Sequence, residues 1–241
     1  DSLTITPPSG VTTSTSLAAL MPGAIDSNRQ ITVARAEVRI NSSKVCCMST
    51  PKSICVYCGA AKGDDPAHRA AAERLGKLMA ENGIRLVFGG GRIGMMGVIA
   101  DAVMTNGGEV IGVIPEHLHD IEVGHDGLTE LHVVDSMHTR KNKMFELSDA
   151  FVVMPGGLGT MDETFEIITW RQLGLHDKPV ILVNNNKYWE PFRALVQHII
   201  DNGYARENCI DLFTIVDGID DVIPAIENAP KERFDPLAKV F

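Results

Sequence analysis

The stretch PGGLGTMDE, residues 155–163, combines three glycines with a carboxylate in a pattern suited to chemistry on an anionic substrate. Glycines that follow an apolar run let a phosphate approach the free backbone N–H groups at the start of a helix. Glu163 stands three residues after Thr160, and this spacing has two interpretations. Glu163 either completes a capping box with Thr160, which would then begin the helix, or provides a catalytic carboxylate.

A second glycine loop, FGGGRIGMMG, occupies residues 88–97 and also follows an apolar run. Gly89, Gly91 and Gly94 fit the G-x-G-x-x-G fingerprint of dinucleotide-binding proteins, for which Glu116 is a candidate acidic residue. The alternative is that these glycines serve only tight turns and close packing. The pattern alone leaves both interpretations open.

A basic segment, DSMHTRKNKM at residues 135–144, lies between the two glycine loops and predicts a helix from about Met137. Helical spacing places Met137, Arg140, Lys141 and Met144 on neighbouring faces. Two cations near a helix N-terminus oppose the helix dipole, so an anionic ligand would account for them. The alternatives are an exposed basic turn and, for the candidate general base His138, an ordinary satisfied polar residue.

Short apolar runs alternate with helical patterns from Ser53 onward. The predicted strands are 53–58, 84–88, 109–114, 130–134, 150–154, 179–183 and 212–216, and the predicted helices lie near 66–82, 95–107, 137–148, 160–174, 189–202 and 219–227. Nearly continuous apolar strands are typical of a sheet covered on both faces. We therefore predict an α/β fold, a doubly wound Rossmann-like parallel sheet with helices on both faces, in a single domain. Ligands bind such sheets beyond the carboxyl ends of the strands, where both glycine loops lie.

The two ends of the chain differ from its middle. Residues 1–47 are rich in Ser and Thr and lack periodicity, so we predict a disordered or upstream extension, with an organelle transit peptide as the alternative. Met48 is then a natural start. The predicted domain covers residues 48–230, and residues 231–241 form a C-terminal tail.

Composition excludes several classes of protein. A net charge of −9 argues against nucleic-acid binding, and no apolar stretch approaches the roughly 18 residues that a membrane span needs. Cys55 and Cys58 form C-x-x-C within a predicted strand, where their side chains would point to opposite faces. We therefore expect reduced thiols in a cytoplasmic protein rather than a disulfide or metal site.

Three motifs in order resemble those of the Lonely Guy family, over about residues 53–227. PGGLGTMDE matches P-G-G-x-G-T-x-x-E, MHTRK matches M-H-x-R-K, and GGGRIGMMG resembles G-G-G-x-x-G-L-M-G with Met95 in place of Leu. Members are cytokinin riboside 5′-monophosphate phosphoribohydrolases, long mislabelled as lysine decarboxylases. The chain departs from the family at Ala60, because the usual C-G-S here reads Cys58-Gly59-Ala60 and lacks the serine hydroxyl.

The resemblance implies that Arg140 and Glu163 are the catalytic pair. It also implies contacts with the substrate from Gly90, Gly91, Gly94, Met95, Glu122, Met137, Lys141, Gly157, Gly159, Thr160 and Thr169. The expected reaction releases the base from an adenine-type nucleoside 5′-monophosphate, in a homodimer whose partner helps to shape the base pocket, with no metal or cofactor. The alternatives are a non-catalytic carrier of a nucleotide or molybdenum cofactor on the same fold and, third, a nicotinamide oxidoreductase.

Overall fold

The computed structural model describes residues 50–119, 124–125 and 127–230. All of them fall within one compact unit, Val45–Phe241. The predicted extension 1–47, the predicted tail 231–241 and Glu122 lie outside the described residues, so the predicted boundaries and the placement of Glu122 stay predictions.

The described residues form a seven-stranded parallel sheet in the order β4-β3-β2-β1-β5-β6-β7. The strands are β1 Ser53–Tyr57, β2 Arg85–Phe88, β3 Val110–Pro115, β4 Glu130–Val134, β5 Ala150–Val153, β6 Val180–Val183 and β7 Thr214–Val216. The predicted α/β class and Rossmann-like parallel sheet are confirmed. The strand order reverses between β1 and β5, which makes the crevice beyond their carboxyl ends the switch point.

The helices are α1 Pro66–Glu81, α2 Gly94–Thr105, α3 Glu116–His119, α4 Met137–Glu146, α5 Leu158–Gln172, α6 Glu190–Asp201 and α7 Val222–Glu227. Short 3-10 turns cover Asn185–Lys187, Glu207–Leu212 and Ile219–Asp221. The segment after β3 begins with the four-residue helix α3. None of the described helices is both long and apolar enough to cross a membrane.

Apolar side chains are buried on both faces of the sheet. Alternate residues of β1 enter different cores, with Ile54 and Val56 in one cluster and Cys55 and Tyr57 in the other. Cys58 belongs to the first cluster, and both β1-region cysteines are free thiols. The prediction that the C-x-x-C pair faces opposite sides of the sheet is therefore confirmed.

The start of α5 differs from the prediction. The N-cap of α5 is Gly157, which makes no side-chain capping bond, and Thr160 occupies the first helical turn. The predicted capping box is wrong because Thr160 lies too far into the helix to cap it. Its buried side chain packs instead against Gly156, where a Cβ would overlap the Thr160 hydroxyl.

Three loops meet at the switch point through backbone hydrogen bonds. The Gly59 N–H donates to the carbonyl of Pro155 at 3.1 Å, and the Met95 N–H donates to the carbonyl of Gly59 at 3.0 Å. The loop after β1 is thus tied both to the loop after β5 and to the first turn of α2. These bonds give the edge of the sheet a fixed shape in which side chains from several elements converge.

Candidate active site

A cavity of about 570 Å³ opens at the switch point. Its walls come from the loops after β1, β2, β5 and β6 and from the first turns of several helices. The predicted site residues that line it are Met95, Met137, Arg140, Gly157, Gly159 and Glu163. The structure therefore brings both predicted catalytic residues to one cavity.

Arg140 projects from α4 and is only 5% exposed. Its Nη2 donates a hydrogen bond to the carbonyl of Gly89 at 3.0 Å. A Cβ at Gly89 would overlap the guanidinium, so a glycine is needed there for Arg140 to occupy its position. The first glycine of the G-x-G-x-x-G pattern thus leaves room for the Arg140 guanidinium.

Glu163 lies in the second turn of α5 and lines the cavity beside Cys58. Burial raises the pKa of the Cys58 thiol far above its ordinary range, and the negative charge of Glu163 raises it further. The thiol is therefore neutral, and the Glu163 carboxylate is close enough to influence it. The cavity presents a carboxylate from α5 and a guanidinium from α4.

The N-terminus of α5 forms another part of the wall. Gly157, Leu158 and Gly159 line the cavity, and no side chain caps this end of the 15-residue helix. The first N–H groups of a helix have no partner within it and carry the positive end of its dipole. An anionic group such as a phosphate is therefore stabilised there.

Lys141 does not line the cavity, although it was predicted to contact the substrate. Its ammonium lies 3.2 Å from Asp162 Oδ2 and 3.0 Å from Glu166 Oε1, which joins α4 to α5. Burial by itself would lower the pKa of Lys141, but hydrogen bonds and charge from Glu166 and Asp162 outweigh it and raise that pKa. The cation thus stabilises the packing of the two helices that carry Arg140 and Glu163.

The other predicted contacts also lie away from the cavity lining. Gly90, Gly91, Gly94, Thr160 and Thr169 are not among the residues that form its wall. Gly94 adopts φ +73°, and a Cβ there would overlap the carbonyl of Ala60, so it serves close packing of α2 on the β1 loop. Substrate contacts by these five residues stay predictions.

Besides Tyr57 at the end of β1, two residues with aromatic rings line the wall without having been predicted from the sequence. His68, in the first turn of α1, and Tyr188, just before α6, both line the cavity. The rule that ligands lie beyond the carboxyl ends of strands could have indicated them, because they follow β1 and β6. Among the residues that the structure describes, no group of three or more His, Cys, Asp or Glu could hold a metal ion.

Comparison with known proteins identifies the family. Residues 96–226 match a family model described as possible lysine decarboxylase. A cytokinin riboside 5′-monophosphate phosphoribohydrolase of Rhodococcoides fascians is 44% identical over 180 residues, which are 74% of this chain and 91% of the relative. The chain belongs to the Lonely Guy family of phosphoribohydrolases. The resemblance of the three motifs is thereby confirmed.

Two further comparisons separate family from fold. A Lonely Guy phosphoribohydrolase of Oryza sativa subsp. japonica is 45% identical over 157 residues, 65% of each chain. The solved structure of a molybdenum cofactor binding protein from Rippkaea orientalis superposes with a TM-score of 0.56 at 24% identity, covering 74% of this chain and 96% of that one. The second likeness shows that the Rossmann-like fold is shared more widely than the family.

Proposed function

We propose that this Lonely Guy protein hydrolyses the N-glycosidic bond of adenine-type nucleoside 5′-monophosphates. The products are the free base and ribose 5-phosphate, and the substrates are AMP and cytokinin riboside 5′-monophosphates. One observation carries the proposal: Arg140, Glu163 and the uncapped N-terminus of α5 line the same cavity. A carboxylate, a guanidinium and a phosphate site are the groups that this reaction needs, and the relatives' names agree with it.

The role of Glu163 follows from the charge that develops on the ribose. As the bond from C1′ to the base nitrogen breaks, its electron pair leaves with the base and the sugar acquires oxocarbenium character. The Glu163 carboxylate stabilises that positive charge. It also accepts a proton from the water whose oxygen attaches to C1′, and the departing base nitrogen takes up a proton, so that the neutral base and ribose 5-phosphate are released.

Arg140 and the start of α5 hold the rest of the nucleotide. The Arg140 guanidinium presents a rigid fork of donors to ribose or phosphate oxygens. The 5′-phosphate binds at Gly157, Gly159 and Thr160, away from the breaking bond. Binding energy from this remote group orients the ribose for reaction, so removal of the phosphate should lower kcat as well as affinity.

The substrate test compares AMP, isopentenyl-AMP and adenosine, with the released base measured by chromatography. We expect both nucleotides to yield base and adenosine to react with kcat/KM lower by about 100-fold or more, because it lacks the anchoring phosphate. Binding of the nucleotides without release of base would instead support the carrier alternative. Equal cleavage of adenosine would contradict the role given to the phosphate, and decarboxylation of lysine would contradict the proposed reaction.

Replacement of the carboxylate tests the chemistry. Glu163→Gln should lower kcat by about 10²- to 10⁴-fold, because the amide neither accepts the proton of water nor stabilises the positive sugar. KM for AMP and the melting temperature should change little, since Gln has nearly the same shape. Glu166→Gln is the matched control: it removes the same charge from the same helix, outside the cavity lining, so it should lower the melting temperature through the lost contact with Lys141 and leave kcat unchanged. Full activity of Glu163→Gln would assign Glu163 a structural role.

We extend the proposal to a cytoplasmic homodimer. Leu173 and Leu175, just beyond the C-terminus of α5, are both exposed, and a homodimer that uses this end of α5 would cover them. Among the described residues Cys55, Cys58 and Cys209 are buried free thiols, which suit a reducing compartment.

A further inference from the structure

Tyr188 contacts the phosphate end of the cavity although it belongs to neither glycine loop. Its hydroxyl donates a hydrogen bond to the carbonyl of Gly156, with 2.7 Å between the oxygens. Gly156 immediately precedes Gly157, the N-cap of α5. Tyr188 therefore contacts the peptide group that begins the candidate phosphate site.

The geometry of a peptide group gives this hydrogen bond a consequence. The Gly156 carbonyl and the Gly157 N–H belong to one planar trans peptide and point in opposite directions. A peptide between two glycines rotates easily unless a partner holds it. The carbonyl of Pro155 is already held by the Gly59 N–H at 3.1 Å. With Tyr188 on the next carbonyl, the direction of the Gly157 N–H is fixed as well.

The backbone just before Tyr188 is held in an uncommon conformation. Asn186 and Lys187 have φ of 52° and 61°, in the left-handed region that residues with a side chain rarely adopt. Such conformations persist only where the surroundings enforce them, and they cluster at functional sites. The cost is offset by contacts to the first turn of α1 and the residue that caps it.

Those contacts are side-chain hydrogen bonds between the loop before Tyr188 and the start of α1. Asn186 Nδ2 donates to Asp65 Oδ2 at 2.6 Å, and Asn185 Nδ2 donates to the carbonyl of Ala67 at 2.9 Å. The other oxygen of Asp65 accepts from the Ala67 N–H at 2.9 Å and caps α1. One carboxylate thus starts α1 and fixes the loop that carries Tyr188.

Two aromatic neighbours fix the ring itself. The imidazole of His68 and the indole of Trp189 make edge contacts with Tyr188, at centroid distances of 5.3 and 5.0 Å. Tyr188 is nevertheless 39% exposed, so burial in an apolar core does not explain the position of its hydroxyl. The Tyr188 hydroxyl is thus held against Gly156 by the strained loop before it, by the Asp65 carboxylate that fixes this loop, and by the rings of His68 and Trp189.

We propose that Tyr188 is a positioning residue for the substrate phosphate. Its hydroxyl holds the Gly156–Gly157 peptide so that the Gly157 N–H is ready to donate to the 5′-phosphate. The inference rests on the proposed function, and it assigns Tyr188 no contact with the reacting atoms. Its effect should therefore fall on ligands that carry phosphate and not on the free base.

The test compares Tyr188→Phe with Tyr204→Phe, which removes a hydroxyl from a side chain that is 88% exposed. For Tyr188→Phe, KM for AMP and the calorimetric Kd of ribose 5-phosphate should rise together by about 5- to 20-fold, the size expected for one lost hydrogen bond. The Kd of adenine and the melting temperature should stay unchanged, and kcat should change by less than about twofold. Tyr204→Phe should match the unaltered chain throughout.

Two results would overturn the inference. One is an unchanged Kd of ribose 5-phosphate in Tyr188→Phe; the other is an equal loss of affinity for adenine, which would make Tyr188 a general part of the wall. If Tyr188→Phe is unstable, adding Lys187→Gly should restore the melting temperature, because glycine suits the φ at that position, while the affinity for ribose 5-phosphate stays low.

The same measurements separate this inference from the proposed function. Nucleotides that bind to the unaltered chain without release of base would contradict only the hydrolysis, since the comparison of ribose 5-phosphate affinities remains informative. Failure of the unaltered chain to bind ribose 5-phosphate would overturn both the proposed phosphate site and the role of Tyr188 in it.

Discussion

At the scale of single residues, Gly89 matters for what it lacks. A Cβ there would overlap the Arg140 guanidinium, whose Nη2 bonds to the carbonyl of the same glycine. Gly89→Ala should leave the backbone conformation intact, because Gly89 is not among the residues with positive φ. It should displace Arg140 and lower kcat/KM for AMP by about 100-fold, as expected for a misplaced catalytic group. Steady-state kinetics measure this directly.

A double-mutant cycle shows whether the effect passes through Arg140. In an Arg140→Ala background, Gly89→Ala should cause almost no further loss, since the group it displaces is already absent. An undiminished effect in that background would mean that Gly89 acts through another contact, and the Met96 sulfur, 3.0 Å from the same Cβ position, would be the first to consider.

The sequence predicted these residues unevenly. Arg140 and Glu163 were found because their motifs stand out, and both line the cavity. The predicted capping role of Thr160 is wrong because the N-cap position of α5 is Gly157. A glycine has no side chain to make a capping hydrogen bond, so no residue pattern marks this helix start. Tyr188 was missed because its role depends on a hydrogen bond to a residue 32 positions earlier.

At the scale of elements, Lys141 joins the two helices of the site. Its ammonium contacts Asp162 and Glu166 of α5, while the neighbouring Arg140 turns to the cavity. Lys141→Met should lower the free energy of unfolding by about 1 to 2 kcal/mol, between the values for exposed and buried ion pairs. KM for AMP should change less than threefold. A tenfold rise in KM without loss of stability would return Lys141 to the phosphate-binding role predicted from the sequence.

The pH dependence of this contribution has a definite sign. The pKa of Lys141 is raised above its ordinary value of 10.5, so the folded chain holds the proton more tightly than the unfolded chain. The contribution is fully present below the ordinary pKa and is lost as pH rises through the raised value. Urea unfolding of the unaltered chain and Lys141→Met should therefore differ by a constant amount near pH 8, and the difference should shrink as the pH rises beyond the ordinary pKa of 10.5.

At the scale of the whole molecule, the sheet was the most predictable feature. Apolar strands such as β1 and β5 are buried on both faces, so their composition indicated parallel neighbours directly. Element ends were less predictable, as at α5, because they depend on tertiary contacts rather than on local periodicity. The backbone hydrogen bonds by which Gly59 joins three loops could not be predicted, since they depend on backbone positions that sequence patterns do not encode.

The predicted domain boundary leads to a test on the whole chain. A protein of residues 48–241 should keep the melting temperature, the kcat/KM for AMP and the oligomeric state of the full chain, proposed above to be dimeric, because the described residues begin at Thr50, the apolar core at Ile54 and the cavity lining at Val56. Sedimentation gives the mass, and calorimetry gives the stability. Loss of activity or a monomeric mass would show that residues 1–47 belong to the functional unit.

Cys58 gives the cavity a chemical property of its own. Its thiol lines the wall, but burial and the nearby Glu163 charge hold its pKa far above neutral pH. Electrophiles and peroxides react with the thiolate, which is scarcely populated there. The cavity should therefore resist alkylation and oxidation, and ligands designed for it must depend on reversible contacts with Arg140, Glu163 and the start of α5.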